Sequence, residues 1–239
     1  MSRLFLIRHG QASFLEQNYD KLSTLGETQS RLLGEYWGHR RIAFQRAYTG
    51  PRMRQMETAR IVGEEYKKTG VPWPEMQVLE EFDEYHGEWV MEASLDGLVE
   101  NDPGVRELQE AFLKASSVQE KHRTFQRLFE VVIGKWVNEE IQVADVEPWA
   151  EFCARVTRGL KQVCSVNGGK ENVAIFSSGG PIGVALQRAL ELSPENTLKV
   201  AWMARNCSFS EFLFSGERFT LSSFNELPHL DDPSLVTYR

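Results

Sequence analysis

The chain is poor in cysteine, poor in positive charge and without any long apolar run. Its three cysteines, Cys153, Cys164 and Cys207, are an odd number without metal-like spacing. They read as small core residues of a protein kept in a reducing compartment, so a cytoplasmic location is expected. No apolar stretch approaches the length of a membrane span, and the N-terminus enters a strand with no basic-then-apolar leader. The expectation is a soluble protein with no membrane partner. Lysine and arginine total 27 against 34 aspartate and glutamate, a net charge of −7, and no basic run offsets it. That excludes non-specific nucleic-acid binding. An anionic ligand would require positive charge gathered at one place.

What is present is ordinary for a globular protein: 41% hydrophobic and 26% charged residues over 239 positions. The length fits a single domain, 1–239, with an inserted subdomain. Leu4–Ile7 is a short apolar run of buried-strand type that ends at Arg8-His9-Gly10. Ala47–Thr49, Met76–Leu79 and Asn172–Phe176 read as further strands, each bounded by turn residues. Ser208–Phe214 and Phe219–Phe224, joined by Ser215-Gly216-Glu217, read as a hairpin, so one edge of the sheet is antiparallel. A helix opens near Leu22–Gln29, capped by Ser23 or Thr24 with Glu27 as the reciprocal partner. Between about 91 and 148 the strand signal disappears. Phe125, Leu128, Phe129, Val132, Ile133 and Trp136 recur at helical spacing, and this segment reads as a helical insertion over the ligand end of the sheet.

Three strand ends carry anion-binding chemistry. In an open parallel sheet, ligands bind outside the carboxyl ends of the strands. Arg8 offers a planar fork of donors, and His9 can act as nucleophile or proton shuttle. Gly50-Pro51-Arg52-Met53-Arg54 places basic residues at a helix N-terminus, where anions are favoured. Ser177-Ser178-Gly179-Gly180-Pro181 is a glycine-containing strand-to-helix turn whose backbone N–H groups can face an anion. Pro181 suits the first turn of the following helix, expected over Ile182–Leu192. The acidic, aromatic stretch Glu80–Trp89 can raise one carboxyl pKa enough for general-acid work.

Taken together these residues resemble the histidine phosphatase superfamily, the phosphoglycerate-mutase-like proteins. Arg8-His9-Gly10 is similar to that family's Arg-His-Gly signature. Thr49-Gly50-Pro51-Arg52-Met53-Arg54 with Thr58-Ala59 resembles its Ser-Ser-Pro-x-x-Arg…Thr-Ala block, which selects Arg54 over Arg52. Leu79-Glu80-Glu81 resembles its Leu-x-Glu acid segment, and Asn206-Cys207-Ser208 and Asn225…His229-Leu230 its closing motifs. The resemblance implies an α/β fold, three-layer α/β/α, with a mostly parallel central sheet, one antiparallel edge strand and the helical insertion.

It also implies a mechanism. His9 would form a phosphohistidine, Arg8 and Arg54 would hold the phosphoryl oxygens, and Glu81 would protonate the leaving alcohol, with no metal or cofactor. Glu84 is the alternate acid, because Gly87 falls later than the family's usual spacing from the glutamate. Where the family places a second histidine this chain has Ser178, followed by Gly179, so a hydroxyl and a backbone amide would contact phosphate there. Neither His229 nor His86 is a strong substitute. The expected function is therefore a metal-independent phosphomonoester hydrolase acting on a small phosphorylated substrate or a phosphoprotein. The alternative is a phosphoryl-binding or scaffold protein impaired in catalysis by Ser178. A mutase would need a pocket that retains a phosphorylated intermediate, which nothing in the sequence demonstrates.

Overall fold

All four residues of the Leu4–Ile7 run are buried, because the strand they belong to, β1 (Ser2–Arg8), is flanked on both sides within a six-stranded sheet. The structure is a computed structural model that describes residues 1–13, 20–165 and 170–238. The sequence reads Gln11–Ser23 as a loop and Asn167–Lys170 as a turn; Phe14, Asn18 and Tyr19 of that loop, and Asn167–Gly169 of that turn, lie outside the described residues. The chain divides into two units, Met1–Glu84 with Ala154–Arg239, and Tyr85–Cys153.

The first unit holds the whole sheet. β1 pairs in parallel with β4 (Asn172–Ser177) and antiparallel with β5 (Phe209–Ser215). β4 continues in parallel to β2 (Arg46–Thr49), which pairs in parallel with β3 (Met76–Val78). The hairpin expected near Ser215–Glu217 forms the antiparallel edge, where β5 pairs with β6 (Arg218–Glu226). The sheet order is β3-β2-β4-β1-β5-β6.

Successive side chains of a strand point to opposite faces. Phe5 and Ile7 of β1, with Ala174 and Phe176 of β4, therefore join one core. Its other members include Leu33 and Trp37 from α1 (Thr24–His39) and Ala59, Val62 and Tyr66 from α2 (Met53–Lys68). Leu4, Leu6, Val173 and Ile175 face the other way and are equally buried. On this chain α7 (Gly179–Leu190) packs against β1 and β6. A sheet covered on both faces explains why its central strands read as continuous apolar runs.

Two local expectations meet different geometry. Ser23 caps α1 and accepts from the Gly26 N–H at 3.1 Å, but Gly26 occupies the third helical position. Glu27 sits one residue too far to close the reciprocal bond and pairs with Arg31 at 3.6 Å instead. α7 starts at Gly179 rather than Ile182, which leaves Pro181 in the first turn, where its missing N–H has no helical partner to lose. A helix absent from the sequence reading, α8 (Pro194–Met203), follows. Its signals were the Ser193 cap and Pro194 at the first position.

The second unit is helical throughout its regular structure. It comprises α3 (Gly87–Asn101), α4 (Pro103–Lys114), α5 (Val118–Val137) and the start of α6 (Trp149–Cys164). Tyr85 packs its ring against Trp136 at 5.6 Å and Phe152 at 5.7 Å, and Trp136 meets Trp149 at 5.6 Å. Asp102 caps α4 and also binds Lys135 of α5 at 2.9 Å, joining the two helices. Among the described residues no helix is long and apolar enough to cross a membrane.

Candidate active site

The register of the sheet aligns three strand ends. Arg8 lies opposite Ser177 across the β1–β4 pair, and Thr49 lies opposite Phe176 across the β2–β4 pair. Hydrogen bonds extend the alignment one step beyond the strands: His9 N–H donates to Ser177 C=O at 2.9 Å, and Gly50 N–H to Phe176 C=O at 3.0 Å. His9, Gly50 and Ser178 are thus side by side where the strands stop, and the helices α2 and α7 begin there.

His9 is held in one tautomer. Its Nδ1 lies 2.7 Å from the Gly10 carbonyl oxygen, which can only accept, so Nδ1 carries the proton. The Arg54 Nε–H, which can only donate, points at His9 Nε2 from 3.1 Å. Nε2 therefore keeps its lone pair. Burial pushes the His9 pKa well below the usual histidine value, and the positive charges of Arg54 and Arg8 push it further. The Gly10 contact opposes this but does not reverse it. A buried imidazole that stays neutral, with a lone pair beside a guanidinium, has the form a nucleophile toward an anion needs.

The backbone around His9 is anchored from three sides. Gly10 N–H donates to Thr58 Oγ1 at 3.0 Å, while Thr58 Oγ1 donates to the Arg54 carbonyl at 2.7 Å. The His9 carbonyl accepts from Cys207 N–H at 3.0 Å and from Asn206 Nδ2 at 3.3 Å. Cys207 reaches it in a left-handed conformation, φ 58°, that a non-glycine residue adopts only at some cost. Gly10 is also pressed against α1: a Cβ there would lie 2.5 Å from the Gly26 carbonyl oxygen. The glycine of Arg-His-Gly is needed for that close approach.

The arginines are engaged differently from each other. Arg54 is buried and binds Asp20 through Nη1 at 2.7 Å, and Asp20 Oδ2 accepts from Met53 N–H at 2.8 Å. Arg8 donates through Nη1 to the carbonyls of Ala204 and, at 2.6 Å, Tyr238. Arg52 is turned to Asp83, with Nε 2.5 Å from Oδ1.

Ser178, buried at the N-cap of α7, accepts from Gln55 Nε2 at 2.8 Å, which leaves its own O–H to donate. Glu84 Oε2 accepts from Gly180 N–H at 3.0 Å, beside Gly179 in the first turn of α7. Glu81 sits in a 3₁₀ turn, Glu80–Phe82, with its Cβ and Cγ against Gly159 of α6. His86 belongs to the second unit and stacks on Trp89 at 3.9 Å. Among the described residues no group of three or more His, Cys, Asp or Glu is placed to hold a metal ion.

His229 stands apart. Neither of its ring nitrogens has a hydrogen-bond partner among the described residues, and burial lowers its pKa to about 4. The folded value lies below the unfolded one, so the unfolded chain binds the proton first as pH falls. Stability is then intact above about 6.5 and lost progressively down to about 4. Thermal unfolding followed from pH 7.5 to 4 should show His229→Leu losing roughly 3 kcal/mol less than the wild type over this window. Burial also pushes the thiols of Cys153, Cys164 and Cys207 up to about 12, which fits core packing and not nucleophilic chemistry.

Sequence reasoning missed Asp20 and Gln55. Asp20 was legible only as one polar residue in a loop, and Gln55 as one position of a helix. Their partners lie 34 and 123 residues away in the chain.

Segments 4–94 and 90–227 match the profile described as histidine phosphatase superfamily (branch 1). No curated protein matches the sequence. Among solved structures, the chain is similar to a histidine-to-alanine mutant of phosphoserine phosphatase from Entamoeba histolytica in complex with phosphoserine. That likeness has 19% identity over 96% of this chain and 100% of the other, with a TM-score of 0.64. Phosphoglycerate mutase from Bacillus anthracis shows 20% identity over 95% and 94%, with a TM-score of 0.61. A putative alpha-ribazole-5′-P phosphatase from Escherichia coli shows 17% identity over 94% and 96%, also at 0.61. At these identities the likeness is one of fold.

Proposed function

The chain belongs to the histidine phosphatase superfamily (branch 1), and from that premise we propose that it is a phosphomonoester hydrolase working through a phosphohistidine on His9. The observation that carries this reading is the tautomer of His9, with a proton on Nδ1 and a lone pair on Nε2 beside Arg54. The Nε2 lone pair attacks phosphorus, and the bond from phosphorus to the ester oxygen breaks. The leaving alkoxide takes a proton from a carboxylic acid. Water then attacks the phosphoryl group, its proton passes to that carboxylate, and the phosphorus–nitrogen bond breaks to release phosphate. Arg54 and Arg8 offset the charge on the transferring group, the term on which phosphoryl transfer mainly depends. The substrate is a small phosphorylated molecule or a phosphoprotein.

The motif register nominates Glu81 for the proton, and its placement nominates Glu84, the carboxylate bound at the amino end of α7 beside Ser178. We assign the transfer to Glu84. Glu84→Gln is then expected to lower kcat by about 10²-fold, at the low end of general acid–base contributions, and Glu81→Gln to change it only a few-fold. The reverse order, read from steady-state kinetics, moves the role to Glu81.

A second reading, phosphoryl binding without turnover, is favoured by Ser178 alone. A hydroxyl bound to Gln55 brings no positive charge to the transition state. One experiment separates the two: hydrolysis of an aryl phosphate in EDTA, with acid-quenched aliquots assayed for acid-labile phosphate on His9. Turnover with labelled His9 supports the hydrolase. Phosphate binding with neither signal supports the binding protein.

A further inference from the structure

Arg54 divides its guanidinium between the nucleophile and a carboxylate. Nε faces His9 Nε2 at 3.1 Å, and Nη1 binds Asp20 Oδ1 at 2.7 Å. The second oxygen of Asp20 takes the Met53 N–H, the first backbone donor of α2, at 2.8 Å. A guanidinium N–H and a helix amino end are the donors a phosphoryl oxygen would seek beside Nε2. Asp20 holds both. A carboxylate and a phosphoryl group on the same guanidinium repel each other and compete for its donors.

The two partners differ in exposure. The Arg54 side chain is 8% exposed and Asp20 32% exposed, so the arginine is buried in the fold while the aspartate lies nearer its rim. Arg8 donates to the carbonyls of Ala204 and Tyr238, neutral acceptors that a charged phosphoryl oxygen outcompetes more readily than it does a carboxylate. Arg52 pairs with a different carboxylate, Asp83.

Resting on the phosphoryl reading of this site, we infer that Asp20 is an internal competitor for the phosphoryl anchor. A substrate displaces it using binding energy from the rest of the molecule, and its return to Arg54 helps expel inorganic phosphate. The site is then selective for whole phosphoesters over the free anion they release.

The test is calorimetric titration of the full chain with inorganic phosphate, comparing wild type, Asp20→Asn, Asp20→Ala and Arg54→Ala. Asp20→Asn keeps an oxygen acceptor for Met53 N–H, and melting curves confirm that each variant is folded. Both Asp20 variants should bind phosphate at least roughly tenfold more tightly than wild type, because a like charge has been removed from the anchor. A role in merely holding Arg54 in place would weaken binding and could not tighten it. Arg54-dependent binding that is unchanged or weaker in folded Asp20 variants overturns the competitor and leaves the phosphoryl site standing. Binding undiminished in Arg54→Ala, or absent from every chain, overturns the phosphoryl reading itself and this inference with it.

Discussion

His9→Ala is expected to lower kcat for an aryl phosphate by roughly 10⁴–10⁶-fold, to the background left by binding and charge stabilisation. The size of the effect follows from the geometry. In the described site the lone pair beside Arg54 belongs to His9 Nε2, and its orientation depends on the Gly10 carbonyl holding the proton on Nδ1. No rotation of a neighbouring side chain supplies a substitute: Ser178 is bound by Gln55, and the Cys207 thiol is pushed up to about 12. The acid-labile phosphate seen after acid quench should vanish in the same variant, while inorganic phosphate should still bind through Arg54. Persistence of labelled phosphate in His9→Ala would place the nucleophile elsewhere. The pH profile adds a second check. Because burial and two arginines depress the His9 pKa, kcat/KM should show no loss from His9 protonation as pH falls through 6.5.

Arg54→Ala is expected to cost roughly 10³–10⁵-fold in kcat, the range of an arginine that stabilises a transferring phosphoryl group. This residue acts at two points. It donates to Nε2 in the resting site, which fixes the lone pair, and it is a buried cation whose Nε lies 3.1 Å from that nitrogen. Arg54→Lys should recover little, because a point charge cannot reach His9 and a phosphoryl oxygen together as the planar fork does. Steady-state kinetics should show the loss mainly in kcat, since the charge is most needed in the transition state. A change confined to KM would reduce Arg54 to a ground-state anchor.

Much of the site was legible because its signals are local. Arg8-His9-Gly10 sits at the end of an apolar run, and the strand-turn-helix stretches at Gly50 and Ser177 carry their own punctuation. A parallel sheet then forces such ends together. The register of β1, β4 and β2 did so, to within one residue of the strand ends named from sequence. The carboxylate was less legible. Glu81 and Glu84 are three residues apart in one acidic loop, and only the contact of Glu84 with Gly180 against that of Glu81 with Gly159 distinguishes them. Asp20 was not legible at all as a site residue, since nothing in Tyr19-Asp20-Lys21 marks it as the partner of an arginine on another element.

The sequence by itself determined the α/β class, the antiparallel edge and the helical character of the middle segment, and it nominated His9 and Arg54 as site candidates. These follow from periodicity, turn chemistry and short motifs, whose physics acts over a few residues. The tertiary structure decided how those groups are used. It set which nitrogen of His9 keeps its lone pair, that Asp20 shares Arg54 with it, and that Gln55 holds Ser178. The Gly10 contact is local, but the bonds from Arg54 to His9, from Arg54 to Asp20 and from Gln55 to Ser178 join residues distant in the chain. They form because packing α2 and α7 at the ends of the strands leaves buried polar groups that must find partners there.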